Sequence, residues 1–141
     1  MLNTETSAKS GLHRIIVTGN SGHLDKPSVS REIEAYLQCY GVHGPIEIIT
    51  GMLGPVDSWA QEVANARSWK CLRLAPPSRE ACRRELYRRN ERMASLASGL
   101  LLLVDELDTI HSHLLDAAYF HKLNLRKISP SVNGACRVGI A

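Results

Sequence analysis

Short apolar runs alternate with helical patterns along most of this chain. Arg14-Ile-Ile-Val-Thr18 is rich in β-branched residues and stops at the turn cluster Gly19-Asn-Ser-Gly22, which reads as a first strand and its loop. Pro27 suits a first helical turn, and Val29, Ile33, Ala35, Tyr36, Leu37 and Tyr40 give a broad apolar face before Gly41, so a helix follows. Glu47 to Thr50 reads as the second strand. The next helix, from about Asp57 to Arg67, collects Val56, Ala60, Val63 and Ala64 on one side. Cys71 to Leu74 reads as a third strand closed by Ala75-Pro-Pro77, and a long helix is predicted from roughly Arg79 to Ala97. Leu100 to Val104 is the fourth strand, Thr109 to Leu123 the helix after it, and Arg126 to Ile128 a short fifth strand.

Strands that alternate with helices pair in parallel, because parallel neighbours need long crossovers. The pattern therefore predicts an α/β chain: a single Rossmann-like domain with a mostly parallel five-stranded sheet and helices on both faces. The expected limits are a flexible N-terminus over 1–12, the domain over 13–128 and a weakly patterned C-terminal tail over 129–141. In such sheets, ligands sit beyond the carboxyl ends of the strands, where the strand order reverses. That places the candidate site in the loops Gly19 to Ser21, Gly51 to Asp57 and Asp105 to Thr109.

Composition narrows the options only a little. The chain has 141 residues, 44% of them hydrophobic, which suits one core and not two. A net charge of +3 is mildly basic and falls short of a dedicated nucleic-acid binder. Cys39, Cys71, Cys82 and Cys136 form no Cys-x-x-Cys pair, so reduced thiols and no metal are expected. Met1 to Ser10 lacks the apolar core of a signal peptide, and the longest apolar run, Leu100 to Val104, is far too short to span a bilayer. A soluble, cytoplasmic protein with no membrane partner is expected.

The strongest chemical signal is the apolar run that ends in Thr50-Gly-Met-Leu-Gly-Pro-Val-Asp57 and passes straight into a helix. Glycines admit a ligand close to the backbone, and a helix start presents unpaired N–H groups and the positive end of its dipole. Thr18-Gly-Asn-Ser21 offers hydroxyl, amide and backbone donors for a phosphate or ribose, or is an ordinary turn. Asp57 either caps its helix or bonds a ribose hydroxyl and orients the loop. Leu86, Asn90, Met93 and Ala97 share one helix side, so the Asn90 amide faces inward and needs backbone or ligand partners. Arg84, Arg88 and Arg92 form a stripe with Arg89 beside Asn90, and basic residues far outnumber acidic ones from Arg67 to Arg92. That stripe is a solvated face or an anion surface. Asp105, Glu106 and Asp108 crowd one loop; they cap the next helix and repel phosphate, or one of them supplies a catalytic carboxylate. His111 and His113 point to nearly opposite helix sides, which disfavours a shared metal.

Thr50-Gly-Met-Leu-Gly-Pro-Val-Asp-Ser-Trp-Ala-Gln-Glu-Val-Ala64, followed by Arg89-Asn-Glu-Arg-Met93, resembles the YpsA-like branch of the SLOG superfamily. This Rossmann-like group also holds the DNA-processing protein Smf/DprA and the LOG phosphoribohydrolases. The similarity covers roughly Arg14 to Ile128. It implies a nucleotide-type ligand held by the loops after the first and second strands, with Gly19, Gly51, Gly54, Asp57, Arg89 and Asn90 at the site. Two departures stand out. Pro55 occupies the position of the family's second glycine, with Gly54 one residue earlier. The family's second phosphate loop, of Gly-Gly-x-Gly-Thr type, is replaced by Asp105-Glu-Leu-Asp-Thr109, of which Thr109 alone survives, and the phosphoribohydrolase glutamate falls at Ser112.

These observations favour binding over turnover. The first expectation is a module that senses or sequesters a nucleotide-type small molecule through Thr18, Gly19, Asn20, Ser21, Thr50, Gly51, Gly54, Asp57, Arg89, Asn90 and Thr109, without a cofactor. The alternatives are an N-glycosidic hydrolase of nucleotides, using Glu106 or Asp57, and a nucleic-acid-binding accessory protein using the arginine helix. The sequence leaves the oligomeric state open, with a homodimer or higher homo-oligomer as one option, since domains this small often complete a site across a dimer.

Overall fold

The structure, a computed structural model, describes residues 11–51, 54–76, 80–130 and 136–139. Five parallel strands lie in the order β3-β2-β1-β4-β5: β1 His13–Gly19, β2 Ile46–Thr50, β3 Lys70–Arg73, β4 Gly99–Leu103 and β5 Asn124–Pro130. A sixth strand, β6 Cys136–Gly139, adds antiparallel to β5 at the edge. It comes from the tail that carried no clear pattern. Four helices connect the parallel strands: α1 Lys26–Cys39, α2 Pro55–Ala66, α3 Arg83–Leu96 and α4 Thr109–Phe120. This is the Rossmann-like α/β domain that the alternation predicts. The N-terminal segment expected to be flexible falls, up to residue 10, outside the described residues.

Period-two alternation in the strands sorts the core into two layers. Ile15 and Val17 of β1 and Leu101 and Leu103 of β4 pack with α1 and α2, whereas Ile16, Leu100 and Leu102 pack with Met93 of α3 and Leu114 and Ala118 of α4. The strands are buried on both sides, which is why they read as continuous apolar runs. Because the order reverses between β1 and β4, the carboxyl ends of these two strands frame the switch point.

Three helix boundaries differ from the sequence expectation: α2 begins at Pro55, two residues before Asp57, and one end of each of two other helices shifts for a visible reason. The long helix begins at Arg83, not near Arg79, because the Glu85 carboxylate accepts from the Cys82 N–H at 3.0 Å and closes the first turn there. The start near Arg79 itself lies outside the described residues. The helix after β4 stops at Phe120, not Leu123: Lys122 takes a left-handed φ of 58°, Lys122 N donates to Tyr119 O and Leu123 N to Ala118 O. That is the pairing glycine usually permits at a helix end, as Gly41 does after α1, where Val42 N reaches Leu37 O. Among the described residues, no helix is long and apolar enough to cross a membrane.

Candidate functional site

The sequence candidates fall into two groups at the carboxyl edge. The first surrounds the loop after β2. Asp57, in the first turn of α2, is fully buried, and its carboxylate accepts from Thr18 Oγ1 and from Gly51 N, both at 2.8 Å. It therefore acts neither as a cap of its own helix through these bonds nor as a solvent-facing base; it ties the ends of β1 and β2 together. Thr50, also fully buried, takes the Leu74 N–H on its carbonyl, and its hydroxyl bonds Cys71, whose thiol burial pushes upward against that bond. Met52 and Leu53 lie outside the described residues.

Arg89 is the central residue of this group. Its guanidinium donates through Nη1 to Gly51 O at 2.7 Å and through Nη2 to Asn90 Oδ1 at 3.2 Å, while Nε, buried, has no hydrogen-bond partner among the described residues. Only 8% of the residue is exposed. Burial pulls the guanidinium below its ordinary pKa and the charge of Asp57 partly opposes this, so a desolvated cation is held at the loop. Gly51 makes room for it: a Cβ there would stand 3.0 Å from Arg89 Nη1 and 3.1 Å from its Cζ. Asn90, fully buried as the helix pattern predicts, donates to Ile110 O at 2.9 Å and lies 3.3 Å from His113 Nδ1, whose ring stacks on Tyr87. Its amide finds backbone and side-chain partners, the first of the two options its position allowed.

The second group sits across the switch point, where the acidic loop closes onto the loop after β1. The Asn20 amide donates to Glu106 O at 2.7 Å and Asp108 Oδ2 at 3.1 Å, while its oxygen accepts from Asp105 N at 3.0 Å. Gly22 N donates to Asp105 Oδ2, and buried Ser21 donates its N–H to Leu103 O. Gly19 answers a packing need as well, since a Cβ there would fall 1.7 Å from Leu103 O. The donors expected to hold phosphate after β1 are thus largely met by this loop. Glu106 is exposed, as is Thr109 at the start of α4.

Capping separates three of the four helix starts at this edge. Asp25 accepts from Ser28 N at the start of α1, and Asp108 accepts from His111 N at 2.8 Å at the start of α4. Gly54 opens α2 with no side-chain cap, and a Cβ on it would meet only Gly19 O, at 3.9 Å. The sequence raises His111 only as a metal ligand with His113; it is 6% exposed, its Nδ1 lies 2.8 Å from Asp108 Oδ1, and its buried Nε2 has no partner among the described residues. Desolvation pushes Asp108 up, but the bonds from His111 N–H, Asn20 and the His111 ring outweigh it, so its carboxyl titrates below the usual range. A group depressed on folding stabilises the folded state above its unfolded pKa and loses that contribution as pH falls through its folded pKa. Asp108→Ala is accordingly expected to cost about 1 kcal/mol at pH 7, and urea titrations should show the gap to wild type narrowing towards pH 3.

Among the described residues, no cluster of three or more His, Cys, Asp or Glu side chains could hold a metal ion. Cys39, Cys71 and Cys82 are free thiols. No family model matches the sequence, and no curated protein matches it.

Proposed function

We propose that this chain binds a nucleotide or nucleotide-derived ligand at the carboxyl ends of its parallel strands, as a sensing or sequestering module, with a phosphate between the start of α2 and Arg89. The observation that carries this reading is the buried Arg89 guanidinium, whose Nε lacks a partner among the described residues, near a helix start without a side-chain cap. A desolvated cation with a spare donor is costly unless an anion completes it. A helix N-terminus adds backbone donors and a favourable dipole. The resemblance of Thr50 to Ala64 and Arg89 to Met93 to the SLOG superfamily points the same way. Hydrolysis is less well supported, because Asp57 is committed to Thr18 and Gly51 while Glu106 is exposed at the rim.

Thermal denaturation against the common nucleoside monophosphates, NAD and ADP-ribose tests this. A ligand at a hundred times its Kd contributes about 2.7 kcal/mol to folding, so at least one compound should raise Tm by several degrees. Gly51→Asp should abolish the rise, because a carboxylate at that position would itself sit against Arg89. If no compound moves Tm, or if Gly51→Asp responds as wild type does, the reading is wrong.

A further inference from the structure

Beside Arg89 lies a groove of about 790 Å³, bounded by Leu74 and Ala75 after β3 and by Arg88, Arg89 and Arg92 on α3. Its size matches sites that hold small organic ligands. Two glutamates also line it, each with one oxygen bonded, Glu85 Oε1 accepting from Cys82 N and Glu91 Oε1 lying 2.9 Å from His121 Nε2, so their charges reduce that of the three arginines without cancelling it. Arg88 and Arg92, both exposed, make no ion pair or side-chain hydrogen bond with any described residue. The groove therefore presents two uncommitted cations at its rim and a third, nine-tenths buried, in its wall.

We propose that this groove receives a chain of phosphates, so that the ligand is a nucleoside polyphosphate in preference to a monophosphate. This rests on the nucleotide reading above and extends it. Arg89 links the two places, since the side chain that donates to Gly51 O also lines the groove. One phosphate engages Arg89 alone at the loop, and Asp57 offsets part of that charge. A second or third phosphate gains Arg88 and Arg92, whose guanidinium forks suit phosphate oxygens. Leu74 and Ala75 add apolar lining to the same groove.

Calorimetric titration at 0.15 M salt with inorganic phosphate, pyrophosphate and tripolyphosphate reads the groove independently of any base. Wild type should bind tripolyphosphate at least tenfold more tightly than phosphate. Arg88→Gln/Arg92→Gln should flatten this gradient, whereas Arg31→Gln/Lys122→Gln, which removes two exposed charges elsewhere, should preserve it. A flat series in wild type, a gradient that survives in the groove variant, or a gradient lost equally in the control would overturn the proposal. Adenosine and guanosine 5′-monophosphates, titrated in parallel, separate the two failures: binding of a monophosphate without a gradient sinks the groove alone. If neither nucleotide nor any anion binds, the nucleotide reading falls and the groove proposal with it.

Discussion

Gly19→Ala is expected to destabilise the fold by about 3 kcal/mol or more, lowering Tm by roughly 10 °C. Most added methyl groups find relief through a rotamer change. This one would not, because the atom it meets at 1.7 Å is the carbonyl oxygen of Leu103, fixed in β4 by its place in the sheet. Gly19 and Leu103 are register partners, and Ser21 N donates to the same oxygen at 3.2 Å. Relief would require the ends of β1 and β4 to separate, which breaks this bond and pulls Asn20 away from Asp105 and Asp108. Thermal and urea denaturation of the variant check this directly; a midpoint equal to that of wild type would mean that the two strand ends do not approach this closely.

Arg89→Met should have a different signature, with binding lost and stability nearly kept. Two terms oppose each other in the unliganded protein. Removing a desolvated cation relieves a penalty of several kcal/mol, while Gly51 O and Asn90 Oδ1 each lose a donor, at about 1–3 kcal/mol apiece. These roughly cancel, so the change in folding stability is expected to stay within about 2 kcal/mol of zero. No such cancellation operates for an anionic ligand, which loses its buried charge partner and at least one charge-assisted bond. Affinity should fall at least about a hundredfold, the equivalent of 2.7 kcal/mol. A residue kept for packing alone would show the reverse.

The fold was legible because both of its periodicities are local. Ile15, Ile16 and Val17 alternate between two helix layers, and the five consecutive apolar residues from Leu100 to Val104 are buried on both faces. Boundaries set by side chains outside the usual capping set were not. Cys82 is no common helix cap, and Lys122 stands where glycine is expected, so the third helix starts later and the fourth ends earlier than periodicity suggests. β6 is short and lies at an edge, where little patterning is needed.

The site was legible in part, for the same reason. The inward-facing Asn90 follows from helical spacing, as does the capping role of Asp108 from its place before Thr109. The burial of Arg89 does not, because it depends on the absent side chain of Gly51, 38 positions away in the chain. The bond from Thr18 to Asp57 spans 39 positions and the one from Asn20 to Asp108 spans 88, and only the strand order brings these loops together. Once it does, the loop after β1 is largely satisfied by the acidic loop. The candidate anion site then narrows to the start of α2, the stronger of the two loops in the sequence.

On the proposed reading, Arg89 is held buried so that an anion can complete it. Isothermal titration calorimetry of wild type and Arg89→Met, each with the nucleotide that most raises the wild-type Tm, addresses it most directly. Saturable binding to wild type is expected, with at least a hundredfold weaker binding to a variant that remains folded. Equal affinity for the two proteins would contradict it.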